Sequence, residues 1–285
     1  MFSTPNELFE YKGCNFISNI HNVEYLNKIP NLDIKKDDVI VVTYPKSGTV
    51  WMQQILSLIC SNDNLAEAQS ELTVNLVPWI EVERLPFKGS LLSPLYVTHL
   101  PYHLIPKNLK KGNGKVIYVA RNPKDVFVSL YYFQNYLTLL ESTSSFEDFL
   151  EKFIDGKVLI GSWFDHVREW YKHKDEFDFL FLTYEELQQD FRTSTQKLCD
   201  FLGKKLDEDK LEMVVEECSF KAMLANPMAN YKHIPNKNPN GTFLRKGIIG
   251  DWKNHFTVAQ SERFDKIFEE KMEDFPFQFV WDSKK

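Results

Sequence analysis

The chain has 285 residues, 43% of them hydrophobic and 26% charged, with a formal net charge of -6. That composition excludes a disordered chain, and the acidic balance excludes a whole-molecule attraction to nucleic acid or an anionic membrane. Aromatic residues make up 14%, enough rings to fill a large core and still line an apolar pocket.

The start, Met1 to Glu7, has no basic region leading into an apolar one, so no signal peptide is expected. No apolar run approaches the roughly 18 residues of a membrane span. Cys14, Cys60, Cys199 and Cys218 are far apart in sequence and form no Cys-x-x-Cys pair, so neither a disulfide framework nor a zinc site is expected. The expectation is a soluble, cytoplasmic protein, and the Asn240-Gly241-Thr242 sequon is read as chance. No repeat, low-complexity tract or linker divides the chain, so residues 1–285 are read as one domain.

Four short apolar runs, Val39–Tyr44, Leu95–Thr98, Val116–Ala120 and Phe179–Thr183, have strand length and do not alternate with polar residues. Near-continuous apolar strands belong to a parallel sheet buried on both faces. Helical spacing runs over Val50–Cys60, Asp125–Leu140 (after Pro123), Phe146–Phe153, Ser162–Lys172, Thr193–Phe201, Asp207–Cys218 and Val258–Glu273, the last with Thr257 as N-cap. Strands alternating with helices predict an α/β fold, a central parallel sheet flanked by helices. Asn226–Gly250, rich in Asn, Pro, Gly and Lys, breaks the rhythm and reads as a lid whose basic end, Arg245-Lys246-Gly247, closes on an anion.

Ligands of open α/β sheets bind beyond the carboxyl ends of the strands. Here those ends run into Lys46, His99, Arg121 and Tyr184. The first, Tyr44-Pro45-Lys46-Ser47-Gly48-Thr49, is a phosphate cradle in outline: a turn, a lysine and a helix N-terminus. It lacks the first glycine and the order of G-x-x-x-x-G-K-[ST], so it is not the nucleotide-hydrolase loop. Taken alone, Lys46 is as readily an exposed turn lysine and His99 a satisfied buried histidine. Their convergence on one rim favours a site.

Thr43-Tyr44-Pro45-Lys46-Ser47-Gly48-Thr49-Val50-Trp51 closely resembles the phosphosulfate-binding loop of the cytosolic sulfotransferases, and Arg245-Lys246-Gly247-Ile248-Ile249-Gly250-Asp251-Trp252-Lys253 resembles the second signature of that family. The resemblance runs from Tyr11-Lys12-Gly13 to Phe268-Glu269, through Thr98-His99-Leu100-Pro101 and Tyr118-Val119-Ala120-Arg121-Asn122. It implies transfer of a sulfonate group from 3′-phosphoadenosine 5′-phosphosulfate (PAPS) to a small acceptor, without a metal. By the same resemblance, Lys46, Ser47, Gly48, Thr49, Val50 and Trp51 would hold the 5′-phosphosulfate and, through Trp51, the adenine. Arg121 and Ser129 would take the 3′-phosphate with Arg245, Lys246 and Gly247, while Tyr184, Cys218 and Phe220 would close the nucleoside pocket. His99 would be the general base, with an unperturbed pKa of about 6.5 near working pH, and Lys46 would stabilise the leaving oxygen.

Two departures stand out: Val97 where many members carry Lys before Thr-His, and Cys218 where Thr is frequent. Lys253-x-x-x-Thr257-Val258-x-x-x-Glu262 matches the family's short dimer motif, so a weak homodimer is expected. The acceptor would lie between Pro78-Trp79-Ile80 and Phe133, Tyr136 and Leu137. Such apolar walls suit a small hydrophobic phenol, alcohol or amine, and Tyr136 and Leu137 offer a cationic acceptor no carboxylate. The similarity to the amine-sulfating branch is weak. The alternatives are a nucleotide kinase and an adenine-nucleotide-binding scaffold without catalysis.

Overall fold

The computed structural model describes residues 7–61, 65–83, 95–238 and 240–283; Met1–Asn6 of the N-terminal reading and Pro239 of the polar segment lie outside the described residues. The chain opens with a hairpin, β1 (Leu8–Tyr11) against β2 (Cys14–Ile17), then α1 (Val23–Lys28). A four-stranded parallel sheet follows, made of β3 (Val39–Thr43), β4 (Leu95–Thr98), β5 (Lys115–Ala120) and β6 (Asp178–Thr183) in the order β4-β3-β5-β6. Between and after the strands come α2 (Thr49–Ile59), α3 (Leu65–Ser70), α4 (Thr73–Leu76), α5 (Pro123–Tyr136), α6 (Phe146–Ile154), α7 (Trp163–Lys172), α8 (Tyr184–Gln189), α9 (Phe191–Leu202), α10 (Glu208–Glu217), α11 (Phe220–Ala225) and α12 (Val258–Met272).

The sheet is buried on both faces, as its apolar strands predict. Ile40, Val42, Val116, Tyr118 and Ala120 pack with Phe127, Phe153, Trp163, Trp170 and Phe264 on one side. Val39, Val41, Val97, Ile117 and Val119 pack with Ile55, Leu56, Leu198 and Val214 on the other. The side-chain period of two along each strand sends alternate residues into the two layers. β3 leads to β4 on one side of it, and β5 leads to β6 on the other. The crevice between the ends of β3 and β5 is therefore the switch point of the sheet, where α/β ligands bind.

Boundaries differ from the sequence reading where a tertiary contact intervenes. The helix predicted to Leu140 stops at Tyr136, and Leu137 is extended, with φ -71° and ψ 134°. Leu137 instead bridges Asn236, and the Lys237 N–H donates to the Tyr136 carbonyl at 2.8 Å, so the polar segment captures the backbone there. Tyr44 leaves its strand so that its hydroxyl donates to the Gly161 carbonyl at 2.7 Å. Asp190 caps α9, starting that helix before Thr193. Thr257 caps α12 as expected, with Gln260 completing the capping box. Among the described residues, no helix is long and apolar enough to cross a membrane.

Candidate active site

Lys46, His99, Arg121 and Tyr184, one from each strand end, line one cavity of about 410 Å³, as the strand order requires. α2 supplies its floor. This helix has neither a side-chain cap nor an acidic residue in its first turn, which leaves its N-terminal N–H groups open to an anion. The turn before it is strained. Lys46 has φ 72° and Gly48 φ 104°, and a Cβ on Gly48 would meet the Tyr184 ring at 3.0 Å. Glycine at 48 thus lets backbone, and not side chain, face the cavity.

The cations cluster around this turn. Arg121 donates to the carbonyls of Lys46 and Ile248, both at 3.1 Å, with its guanidinium 4.1 Å over the Tyr184 ring. Arg245 and Lys246 both donate to Asp251, at 2.6 and 2.7 Å, which holds that carboxyl well below the usual range despite its burial. Lys46 Nζ lies 4.2 Å from the centres of both the Phe133 and Phe243 rings. Burial, then the charges of Arg121 and Arg245, lower its pKa to about 7. Among the described residues, buried polar atoms of Ser47 (Oγ), Arg121 (Nε) and Arg245 (Nε) have no partner, so the cradle holds donor capacity that those residues do not use. Four cations lining one cavity, Lys46, Arg121, Arg245 and Lys246, beside these unpaired donors fit a multiply charged phosphate or sulfate ester.

Beside the cations is an aromatic slot. The Trp51 ring stacks on Phe191 at 5.4 Å and meets Tyr184 edge-on at 5.4 Å, and its Nε1 donates to the Cys218 carbonyl at 2.8 Å. Cys218 thus offers its carbonyl to the Trp51 ring, and burial pushes its thiol pKa up. Gly247, at φ 66°, lies so close to Phe220 that a Cβ would come within 2.3 Å of the ring. Ser129 also lines the cavity.

His99 Nδ1 lies 2.7 Å from the Thr43 carbonyl, to which it can only donate, so Nε2 carries a lone pair. Burial is the main cause lowering its pKa to about 3, opposed by the Thr43 hydrogen bond. This corrects the expectation of a value near 6.5: the ring stays neutral across ordinary pH. The sequence reading missed Glu81. It is fully buried, accepting the His99 backbone N–H at 2.8 Å and the Thr98 hydroxyl at 2.8 Å, and burial raises its carboxyl pKa to about 7. A carboxylate two residues past Trp79, opposite a strand end, was the available signal.

Of the residues expected to wall the acceptor, Trp79, Phe133 and Leu137 line the cavity, with Trp79 4.6 Å from His99, while Pro78 and Ile80 are not among its lining residues. Nor is Tyr136; it faces an adjoining hollow with Asn238, Gly241 and Phe243, because the end of α5 turns it outward. Val97 is buried in the core cluster on the α2 side of the sheet and is not among the residues lining the cavity. Ile17, Ile20, His21, Leu139, Leu159 and Tyr231 also line it and were missed, being brought from the hairpin and loops far away in sequence. Lys253 pairs with Asp282 of its own chain, while Val258 is 76% exposed.

An anion cradle at a sheet switch point, an aromatic slot beside it and a histidine facing an apolar hollow define a group-transfer enzyme that uses an anionic aromatic donor. Residues 36–276 match the model of the sulfotransferase domain, and the chain belongs to that family. It is 45% identical to the amine sulfotransferase of Oryctolagus cuniculus over 99% of this chain and 96% of that one. It is also 45% identical to sulfotransferase 2B1 of Rattus norvegicus, over 97% and 83%. A mouse sulfotransferase solved with PAP superposes with a TM-score of 0.76 at 33% identity, covering 93% of this chain and 95% of that one. A retinol dehydratase solved with retinol and PAP gives 0.83 at 25%, covering 97% and 93%. The chain is a sulfotransferase.

Proposed function

We propose that this sulfotransferase moves sulfonate from PAPS to a hydroxyl or amine of a small hydrophobic acceptor, with His99 as general base. The observation that carries the reading is the tautomer of His99: Nδ1 is committed to Thr43, so the open Nε2 faces the apolar hollow as a proton acceptor. PAPS supplies an activated sulfur and a good leaving group. The open N–H groups of α2 and the Lys46 ammonium hold the end where negative charge develops. Arg121, Ser129, Arg245 and Lys246 hold the 3′-phosphate, and Trp51, Tyr184 and Phe220 hold the adenine. Glu81 fixes the Thr98 hydroxyl and the His99 backbone N–H, and with them the aim of the imidazole. The histidine takes the proton as the acceptor atom bonds to sulfur, and the bond from sulfur to the nucleotide oxygen breaks in line. The nucleophile attacks sulfur directly, so no covalent intermediate on the protein is required.

A base with so low a pKa gains strength where the anionic donor lies beside it, because the negative charge favours the imidazolium. Hydrophobic walls support phenols and alcohols. The amine sulfotransferase relative supports amines, which attack as neutral bases and need only proton removal afterwards. We place the protein in the cytosol; four free, buried cysteines suit a reducing compartment. A weak homodimer through Lys253, Thr257, Val258 and Glu262 is the remaining element of the reading.

The test is transfer of radiolabelled sulfonate from PAPS to phenol, alcohol and amine panels by the wild type and His99→Ala. Loss of turnover by about 10²–10⁴-fold is expected, with nucleotide affinity unchanged. The loss should shrink for a nitrophenol that is already ionised. Near-normal turnover of a high-pKa alcohol by His99→Ala would remove the base assignment.

A further inference from the structure

The acceptor hollow holds a second histidine with the opposite hydrogen-bond polarity. His21 lines the cavity together with Trp79, Glu81 and His99. Its Nδ1 sits 3.2 Å from the Ile17 N–H and 3.1 Å from the Ile17 carbonyl. That carbonyl already accepts the N–H groups of Ile20 at 3.1 Å and His21 itself at 2.9 Å, which occupies both of its lone pairs. Nδ1 is therefore the acceptor of the Ile17 N–H, and the proton of the neutral ring is on Nε2. Burial lowers the pKa of His21 to about 4, so the ring is neutral when the enzyme works. No hydrogen bond to Nε2 occurs among the described residues, and the ring is held in place by Phe16, whose centroid is 5.2 Å away. The cavity thus offers a lone pair at His99 and an N–H at His21, among walls that are otherwise mostly apolar. The two rings are near enough for a charge on His21 to bear on His99.

We propose that His21 is a specificity residue of the acceptor site, donating from Nε2–H to an uncharged oxygen, a carbonyl or ether, of an acceptor whose nucleophile lies at His99. The inference rests on the acceptor reading above and adds to it a second polar group on the substrate. An all-hydrocarbon acceptor would strip water from Nε2–H and return nothing. A site built to hydrogen-bond a group discriminates against the analogue lacking it by more than a methylene is worth.

Matched pairs test this: 4-hydroxyacetophenone with 4-ethylphenol, 4-(4-hydroxyphenyl)butan-2-one with 4-butylphenol, and androsterone with its 17-deoxo analogue. The readout is the ratio of kcat/KM for ketone over hydrocarbon, compared between the wild type and His21→Phe. In at least one pair the ratio should fall by about three- to tenfold in the variant, the range of one net hydrogen bond. The change should lie mainly in KM, with affinity for PAP unaltered. Ratios alike within about twofold for all three pairs would overturn the proposal. Imidazole nitrogen NMR of the wild type is independent of how the variant folds. It should show His21 protonated on Nε2 and its signal shifting when a ketone is added to the PAP complex. A His21 protonated on Nδ1 would overturn the proposal equally. Failure of the wild type to sulfonate any of the six probes would instead remove the acceptor class proposed above, and the spectra would then decide His21 alone.

Discussion

Lys46 combines a left-handed backbone, at φ 72°, with a buried ammonium between two phenyl rings. Among the described residues no carboxylate pairs with it, and Arg121 and Arg245 repel its charge. Its pKa in the free enzyme is accordingly lowered to about 7. A bound phosphosulfate reverses the balance and favours the charged form. The sign follows: above the free-state pKa, nucleotide binding must take up a proton, so affinity falls as pH rises through about 7 and is flat below it. Titration calorimetry of PAP in two buffers of different ionisation enthalpy, from about pH 6 to about pH 9, should show proton uptake only in the upper range. In Lys46→Met that uptake should vanish, and equal uptake in the variant would assign the proton elsewhere. Residues of this kind were legible in sequence as types. Lys46, His99 and Arg121 each close an apolar run, and their chemistry follows from their side chains. Their protonation was not legible, because it depends on burial and on neighbours that arrive from other elements.

Asn226–Gly250 shows what an element without regular structure can still do. Its first part is fastened: the Tyr231 hydroxyl donates to Gln53 at 2.6 Å, Lys237 Nζ to the Leu140 carbonyl at 2.6 Å, and Asn236 bridges Leu137. Its far end is fastened to Asp125, which accepts the N–H groups of Gly250 at 2.7 Å and Trp252 at 3.0 Å. Between these anchors, Phe243, Leu244, Arg245, Lys246 and Gly247 line the cavity. We propose that this middle stretch is the working part of the lid, and that nucleotide orders it. Hydrogen exchange should then show protection by PAP concentrated over residues 240–250, with little change over 229–237. Protection spread evenly over both parts, or absent from both, would sink the idea. Sequence composition marked the segment as irregular and basic. It did not separate anchor from lid, because the anchors' partners lie far away in sequence, on α2, on α5 and just past the end of α5.

At the scale of the whole molecule the open question is assembly. Val258 is 76% exposed at the start of α12, and Thr257 is occupied in capping that helix. Lys253 is engaged by Asp282 of its own chain, so pairing with Glu262 of a second copy must displace an internal carboxylate. A two-fold contact built on one apolar side chain and exposed charges is small, and exposed ion pairs contribute about 0–1 kcal/mol each. The dimer should therefore dissociate on dilution. Sedimentation velocity should find Val258→Glu monomeric, and Asp282→Asn more dimeric than the wild type because it frees Lys253. A wild type that stays monomeric at every concentration would remove the dimer reading.

Buried apolar strands, helical spacing and two glycine-containing basic loops determined the α/β class, the order of the elements and the anion cradle, since periodicity and turn chemistry act over a few residues. Tertiary structure decided the rest. The β4-β3-β5-β6 order placed the cradle at a switch point, and the polar segment ended α5 at Tyr136 and turned that residue away from the cavity. Folding brought Glu81 beneath His99 and His21 into the same cavity, and the Thr43 carbonyl set the tautomer of His99. A hydrogen bond between residues far apart in sequence leaves no mark on the spacing of either one, so only the folded chain reveals it.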